Sequence, residues 1–210
     1  MIRRLSDLVA PLSEREFLDC FSRKRGLVVK TTKPERTASL LPWATINRLI
    51  ANVMPSSNIM VKLKGRTVDE LMYRSGPEGR LRPDALQHLA AQGVSIVLNH
   101  IHRYVPPIKA LAHAIERRLG HPVHVNCYIT FGTASAFKTH VDYQDVLVVQ
   151  IHGAKRWRGY GIPIAYPLED FPPTADRSNI AHGDPVWEEL IEPGDVLYVP
   201  RGEATMRLAR

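Results

Sequence analysis

The segment VNCYITFGTASAFKTHVDYQDVLVVQIHGAKRW, residues 125–157, decides our interpretation of the fold. It contains His140-Val141-Asp142 in a run that is typical of a β-strand, followed by an apolar strand, a glycine turn and a basic strand from Lys155. Because residues i and i+2 of a strand project to the same face, His140 and Asp142 point the same way, about 7 Å apart along the backbone. One imidazole and one carboxylate in this arrangement supply two ligands of a 2-His-1-carboxylate site for non-haem Fe(II).

Length and composition are those of a globular domain. The chain has 210 residues, of which 44% are hydrophobic, so it can form a sizeable core and global disorder is excluded. Cys20 and Cys127 are far apart and form neither a disulfide framework nor a zinc pattern. The sequence shows no signal-peptide core and no run long enough to span a membrane, so we expect a cytoplasmic protein with no membrane partner.

The net charge of +7 favours an anionic surrounding, such as ribosomal RNA or an acidic small substrate. The basic clusters, 23–25 and 156–158, lack aromatic residues at stacking spacing apart from Trp157. RNA binding is therefore a hypothesis that rests on charge alone, and it predicts an affinity that falls steeply with salt.

The order of predicted elements changes along the chain. Apolar periodicity and capping signals predict helices over 12–23, 43–53, 66–75, 83–92 and 106–120. Strands are predicted over 27–29, 60–64, 94–98, 123–131, 138–151, 155–160 and 196–199, and loops over 76–82 and 166–181. Helices that flank an antiparallel barrel would produce this order.

Four further residues could bind an acidic co-substrate. Lys155 follows the Gly153 turn, and a hairpin would bring it alongside the His140 strand, where a cation suits a distal carboxylate. Asn126 could donate a hydrogen bond to the same molecule, and Tyr128 and Thr130 share its strand face and could line the pocket. The alternatives are a solvated lysine on a turn, an amide bonded to backbone, and side chains that fill a barrel interior. The sequence gives no reason to treat the other histidines as metal ligands; they are His88, His100, His102, His113, His121, His124, His152 and His182.

A specific set of residues resembles the JmjC/cupin-like Fe(II)- and 2-oxoglutarate-dependent oxygenases of the ribosomal-oxygenase group. The set is Asn126, Tyr128, His140, Asp142, Asp145, Gln150, Gly153, Lys155 and Trp157, in this order and spacing. The segment PGDVLYVPRGE, residues 193–203, resembles the family's strand that leads to its third metal ligand, and LNHIHR, residues 98–103, resembles its segment before the barrel.

The resemblance implies a mainly β fold with flanking helices (α+β), a double-stranded β-helix of the cupin or JmjC jelly-roll type. The helix-rich part would cover residues 1–92, and the barrel would cover residues 93–210. It also implies Fe(II) held by His140 and Asp142, and 2-oxoglutarate bound by Lys155 and Asn126, with Tyr128 and Thr130 beside it. The implied reaction is hydroxylation of a protein side chain, with ribosomal proteins the best-known substrates. The resemblance further implies a homodimer in full-length relatives, since many members use a C-terminal region for dimerisation.

One position departs from the family pattern. The family's third ligand is a histidine three residues after Pro-Arg-Gly, and Thr205 stands there in this chain. The family's last strands are also expected to be absent, which would leave a barrel that is incomplete at the C-terminus, with unpaired edges. Three explanations stay open: a truncated or frame-shifted product whose ending, 204–210, replaces the true one; a non-catalytic cupin-like binding module; or an oxygen ligand supplied by Glu203.

Overall fold

The structure, a computed structural model, describes residues 2–75, 79–132, 139–168 and 183–209. The chain divides into two compact units. Unit 1 comprises Met1–Leu5 and Ser39–Ala136, and unit 2 comprises Ser6–Ala38 and Phe137–Arg210. The domain division after residue 92 stays a prediction. None of the described helices combines the length and the apolar character that crossing a membrane requires.

Six α-helices and eleven strands are described. The helices are α1 Leu5–Val9, α2 Glu14–Ser22, α3 Glu35–Ala38, α4 Trp43–Arg48, α5 Pro83–Ala91 and α6 Pro106–Leu119. The strands are β1 Leu27–Val29, β2 Ile59–Leu63, β3 Arg66–Thr67, β4 Ser95–Leu98, β5 Cys127–Thr130, β6 His140–Val141, β7 Val146–Val149, β8 Lys155–Gly159, β9 Trp187–Ile191, β10 Val196–Val199 and β11 Ala204–Ala209. A π-helical turn, Leu49–Val53, continues α4, and short 3-10 turns cover Ser56–Asn58, Glu70–Met72 and Ile101–Arg103.

The helix ends follow the local sequence. Ser13 caps α2, since its hydroxyl accepts from the Glu16 N–H while the Glu16 carboxylate accepts from the Ser13 N–H. This reciprocal capping box is one of the capping signals that predicted a helix over 12–23, and the helix begins at Glu14. Pro106 begins α6, and Gly120 ends it in the left-handed region at φ 72°.

Unit 1 contains a four-stranded antiparallel sheet in the order β3-β2-β4-β5. All four residues of β4 are buried, which agrees with the predicted buried strand. Helix α6 buries one face, formed by Ile108, Leu111, Ala112 and Ile115. These burial patterns confirm the apolar periodicity of this part of the sequence.

Unit 2 contains two antiparallel sheets, β1-β10-β7 and β6-β11-β8-β9. An apolar cluster of Trp157 and Ile191 from the four-stranded sheet with Leu197 and Val199 from β10 joins the two sheets. On the other side of β10, Phe17 and Phe21 of α2 pack on the ring of Tyr198. Both faces of β10 are therefore covered, as its four buried residues require.

Three predicted elements differ from the structure. The helix predicted over 66–75 is wrong, because Lys64 and Gly65 have φ of 49° and 81° and close a two-residue hairpin between β2 and β3. Only the short 3-10 turn Glu70–Met72 follows this hairpin. The strand predicted over 138–151 is two strands, β6 and β7. The strand predicted over 123–131 begins only at Cys127, since Val125 bonds to the preceding turn instead.

Two strands of unit 2 were not predicted, β9 and β11. Strand β11 lies inside the four-stranded sheet, paired with β6 on one side and β8 on the other. Residues Ala204–Ala209 are thus paired on both sides, and the expectation that the family's last strands are absent and leave barrel edges unpaired stays a prediction. Most of the loop predicted over 166–181 lies outside the described residues, as does part of the loop predicted over 76–82.

Candidate metal and co-substrate site

His140 and Asp142 lie together in unit 2. His140 opens β6, the buried Val141 separates the two, and Asp142 follows the strand. The Nε2 atom of His140 is 3.5 Å from Oδ2 of Asp142. The backbone oxygen of Asp142 accepts from the Gly202 N–H at 2.9 Å, which ties the end of β6 to the turn before β11. The structure therefore brings together the imidazole and carboxylate that the sequence put forward as ligands; their role in binding metal stays a prediction.

Thr205 lies directly opposite His140. The register pairs Thr205 with His140 on one side and with Gly159 on the other, and Gly159 with Trp187. Directly paired residues of antiparallel strands project to the same face, with Cβ atoms about 5 Å apart. We call these four residues, His140, Thr205, Gly159 and Trp187, the His140 row. The register thus puts the buried threonine hydroxyl where the family pattern expects a second imidazole.

Glu203 does not complete this site. Its carboxylate accepts from the Trp187 indole N–H at 2.5 Å. Burial raises the pKa of Glu203, and the hydrogen bond from Trp187 offsets only part of that effect. Among the described residues, no acidic, cysteine or second histidine side chain forms a three-ligand group with His140 and Asp142. The structure therefore gives no support to the oxygen-ligand explanation.

Lys155 begins β8 on the face that carries the His140 row. Lys155, Trp157 and Gly159 alternate with outward residues, so the lysine lies roughly 13 Å along the strand from the His140 row. Gln150 shapes the turn before it, because its side-chain amide donates to the backbone oxygens of His152 and Gly153 at 2.8 and 3.1 Å. The predicted hairpin that places Lys155 alongside the His140 strand is wrong, because β7 and β8 belong to different sheets and β11 lies between β8 and β6. The contact of Lys155 with a co-substrate stays a prediction.

The other three predicted co-substrate residues lie in unit 1. Asn126 accepts from the His100 N–H through Oδ1 at 3.0 Å. The Thr130 hydroxyl accepts from the Ser95 hydroxyl at 3.1 Å, across the register pair of β4 and β5. Tyr128 is exposed on the same strand. Asn126 and Thr130 each have a local structural partner, and a role of Asn126, Tyr128 and Thr130 in binding 2-oxoglutarate stays a prediction.

The sequence did not reveal the structural role of Asp145. Its carboxylate accepts from Lys24 Nζ at 2.9 and 3.0 Å, from the Tyr198 hydroxyl at 2.8 Å and from Arg201 Nε at 3.1 Å. Burial by itself would raise the pKa of Asp145, but these hydrogen bonds outweigh burial and lower it. Burial and the bond to Asp145 raise the pKa of Tyr198 far above its ordinary value. Only a signal of long-range pairing between these positions could have revealed this network.

Comparison with known proteins identifies the family. The JmjC domain family matches residues 98–207, which is more than half of the chain. The chain belongs to the JmjC domain family. This membership confirms the resemblance that the spaced residues around His140 indicated.

Curated relatives cover nearly the whole chain at low identity. A bifunctional lysine-specific demethylase and histidyl-hydroxylase NO66 from Drosophila persimilis is 28% identical over 202 residues, which are 95% of this chain and 28% of that protein. The protein of the same name from Drosophila willistoni is 27% identical over 212 residues, 95% of this chain and 26% of that protein. The chain thus spans little more than a quarter of the length of these two relatives.

Solved structures show the same fold. Escherichia coli YcfD matches with a TM-score of 0.61 and 19% identity, over 94% of this chain and 50% of the other. A structure of YcfD described as a ribosomal oxygenase, in complex with cobalt and 2-oxoglutarate, matches with a TM-score of 0.54 and 18% identity, over 95% of this chain and 48% of the other. With the two sheets of unit 2, this likeness confirms the predicted mainly β, jelly-roll fold with flanking helices.

Proposed function

We propose that this chain carries the Fe(II) and 2-oxoglutarate site of a protein-hydroxylating JmjC oxygenase, with two protein ligands in place of three. The observation that carries the proposal is the arrangement of His140, Asp142 and Thr205, in which an imidazole and a carboxylate 3.5 Å apart face the position of the missing ligand. An imidazole with a carboxylate suits a divalent iron, but a threonine hydroxyl is not a usual ligand of such a centre. The donor set therefore fits a weakly held metal.

The residues have separate tasks in this proposal. His140 and Asp142 would hold the metal, and Lys155 would pair with the far carboxylate of 2-oxoglutarate. Asn126, Tyr128 and Thr130 would contribute to the same co-substrate. Bound Fe(II) and 2-oxoglutarate would supply the oxidation by O2 that inserts one oxygen into a substrate C–H bond and the other into succinate, with release of CO2.

The names of the relatives support a protein substrate. The Drosophila proteins are named as lysine demethylases and histidyl-hydroxylases, and YcfD is described as a ribosomal oxygenase. A basic chain with a net charge of +7 suits a substrate near ribosomal RNA. We therefore propose a side chain of a ribosomal protein as the substrate, and a cytoplasmic location. A homodimer is a further prediction from the family resemblance.

Thr205 favours a second candidate function, a non-catalytic cupin-like binding module. A site with two protein ligands holds Fe(II) less firmly than one with three, and Thr205 is buried between β6 and β8 in the four-stranded sheet. In that case the fold would bind a partner, and the substitution His140→Ala would leave partner binding unchanged.

Anaerobic titration with Fe(II), followed by measurement of 2-oxoglutarate-dependent succinate formation, tests the proposal. We expect weak Fe(II) binding at this site and slow succinate formation. His140→Ala should remove this weakly bound equivalent of Fe(II) and abolish succinate formation. His113→Ala, which changes an exposed histidine of α6, is the matched control and should alter neither. Absence of metal binding and of turnover in both the wild type and Thr205→His would reject the oxygenase and leave the binding module.

A further inference from the structure

Three histidines of unit 1 form a compact cluster. His100 and His102 flank Ile101 at the turn after β4, and His124 precedes β5. The ring centroids are 5.5 Å apart for His100 and His124, and 5.9 Å apart for each of the other two pairs. One nitrogen from each ring lies within 4.8 Å of the other two. All three belong to unit 1, whereas His140 and Asp142 belong to unit 2.

The backbone around the cluster is held in an unusual conformation. His100 has φ 57° and ψ 36°, in the left-handed region, which costs a non-glycine residue about 1 kcal/mol. Its N–H donates to Asn126 Oδ1 at 3.0 Å, and the Ile101 N–H donates to the Val125 oxygen at 2.9 Å. Such conformations persist where the surroundings over-determine them, and they concentrate at functional sites. The turn and the 124–126 segment thus hold the three rings together.

The chemical state of the rings suits metal binding. Nδ1 of His100 is buried and has no hydrogen-bond partner among the described residues, although buried polar atoms are normally paired. Burial lowers the pKa of His100 and of His102, and the charges of Arg103 and His124 lower that of His100 further. Neutral imidazole is the form that binds metals, and imidazole ligands suit Zn²⁺, Ni²⁺ and Cu²⁺.

His102 differs from the other two rings. Its Nδ1 accepts from the Val125 N–H at 3.1 Å, so the proton of neutral His102 is on Nε2. His102 can therefore coordinate a metal only when it gives up this hydrogen bond. Among the described contacts, the ring nitrogens of His100 and His124 make no such hydrogen bond, so these two rings can bind an ion without losing one.

We propose that this cluster is a binding site for a divalent transition-metal ion, of which Zn²⁺ is the representative. His100 and His124 would bind it first, His102 would join by exchanging its bond to Val125, and water or a small anion would fill the remaining position. Zn²⁺ with nitrogen ligands at about 2.0 Å requires the three nitrogens to approach one another more closely than 4.8 Å, which rotation of the partly exposed rings allows. Three neutral imidazole ligands do not compensate the positive charge of the ion, so its open coordination position favours an anion.

The test is a titration with Zn²⁺, and with Co²⁺ for its visible spectrum, in the His140→Ala background. This background removes the proposed iron ligand, so any remaining site is independent of the proposed function. We expect one equivalent of Zn²⁺ to bind, and the additional change His124→Ala to weaken it by at least about tenfold. His113→Ala should not change the affinity. Zn²⁺ binding that is absent from the His140→Ala protein, or unaffected by His124→Ala, would overturn the proposal.

His124 is the informative position because it is exposed and has no structural hydrogen bond among the contacts described. A change at His102 would also remove the acceptor of the Val125 N–H and could unfold the turn. A thermal melt with and without Zn²⁺ gives a second measurement. Zn²⁺ should raise the midpoint of the His140→Ala protein and leave that of the His140→Ala, His124→Ala protein unchanged.

A second inference concerns Arg207 and rests on the proposed function. Arg207 lies two residues beyond Thr205 on β11, so it shares the face of His140 and Lys155. The register pairs it with Trp157, and its guanidinium carbon is 5.7 Å from the centre of a Trp157 ring. Its position is between the His140 row and the level of Lys155. An extended dicarboxylate held between those two levels would pass beside it.

We infer that Arg207 is a second cation for the anionic co-substrate, in addition to Lys155. Binding of 2-oxoglutarate in the presence of Co²⁺, followed by tryptophan fluorescence, tests this without turnover. Arg207→Ala should weaken binding by about tenfold, and Arg207→Lys should restore part of it. Arg158→Ala is the matched control, since Arg158 lies on the opposite face of the same sheet and pairs with Glu188.

The outcomes separate the two proposals. If Lys155→Ala weakens 2-oxoglutarate binding and Arg207→Ala does not, the inference about Arg207 is wrong while the proposed function stands. If the wild type does not bind 2-oxoglutarate at all, both are wrong. Equal losses in Arg207→Ala and Arg158→Ala would show a general charge effect and would also overturn the inference.

Discussion

Two aspartates three residues apart have opposite surroundings. The side chain of Asp145 is 13% exposed and receives hydrogen bonds from Lys24, Tyr198 and Arg201. The side chain of Asp142 is 45% exposed and lies beside His140. Asp145 joins the turn after α2, strand β10 and the 200–202 turn, whereas Asp142 faces a partly exposed imidazole. One carboxylate is therefore a part of the fold, and the other remains available for chemistry.

The largest expected effect is on stability. Asp145→Asn replaces the buried carboxylate that forms ion pairs with Lys24 and Arg201. Because both cations lose their anionic partner, we expect the free energy of unfolding to fall by about 3 kcal/mol. Urea unfolding of both proteins measures this difference through the midpoint. Asp142→Asn is the matched control. A loss of similar size in both variants would break the distinction between the two aspartates.

The pH dependence of stability should also show that Asp145 is part of the fold. Because the folded-state pKa of Asp145 is lowered, its contribution is fully present above its unfolded pKa, about 4, and is lost as the pH falls through the folded pKa. We expect wild-type stability to fall more steeply below pH 4 than that of Asp145→Asn. Denaturant unfolding at pH 7, 4 and 3 measures the two slopes, and parallel slopes would contradict the assignment.

The next largest expected effect is on metal affinity at the site of His140 and Asp142. Thr205→His places an imidazole opposite His140, so we expect metal affinity to rise by at least about tenfold, equivalent to about 1.4 kcal/mol. Anaerobic Fe(II) titration measures the gain. Thr205→Val, which has nearly the same shape and no ligand, should give none. An unchanged affinity in Thr205→His would mean that the register does not bring position 205 to the metal.

A smaller effect is expected at a third carboxylate, Glu203. Its folded-state pKa is raised, so its contribution to stability is fully present below its unfolded pKa and is lost as the pH rises through the folded pKa. Glu203→Gln keeps an oxygen that accepts from Trp187 and removes the charge. We expect this variant to be more stable than the wild type at pH 7, by about 1 kcal/mol, and equally stable near pH 4. A loss of stability at pH 7 would show that the ionised form is needed.

The smallest effect is the stability change in Asp142→Asn, which we expect to stay within about 0.5 kcal/mol because the residue is substantially exposed. Fe(II) binding should nevertheless be lost, since the amide replaces an anionic ligand. Thermal melts and metal titration on the same sample measure both quantities. Retained Fe(II) affinity would remove Asp142 from the proposed site.

Local pattern was sufficient for several parts of the structure. The i, i+2 spacing brought His140 and Asp142 to one place, the capping box began α2, and proline and glycine bounded α6. The hairpin of Lys64 and Gly65 was missed because its turn lacks the asparagine or aspartate that usually marks it. Strands β9 and β11 were missed because their charged and apolar residues alternate only weakly. Their strand conformation depends on pairing with neighbouring strands, which the local sequence does not show.

By itself, the sequence determined the family, the mainly β fold and the pair His140 and Asp142, because these depend on residue types at short, regular spacing. Only the tertiary structure decided which side chains meet across the chain. It paired Thr205 with His140, bound Asp145 to Lys24 and Arg201, and assembled the cluster of His100, His102 and His124. Strand register and the packing of distant segments determine such contacts, and neither follows from the local pattern of residues.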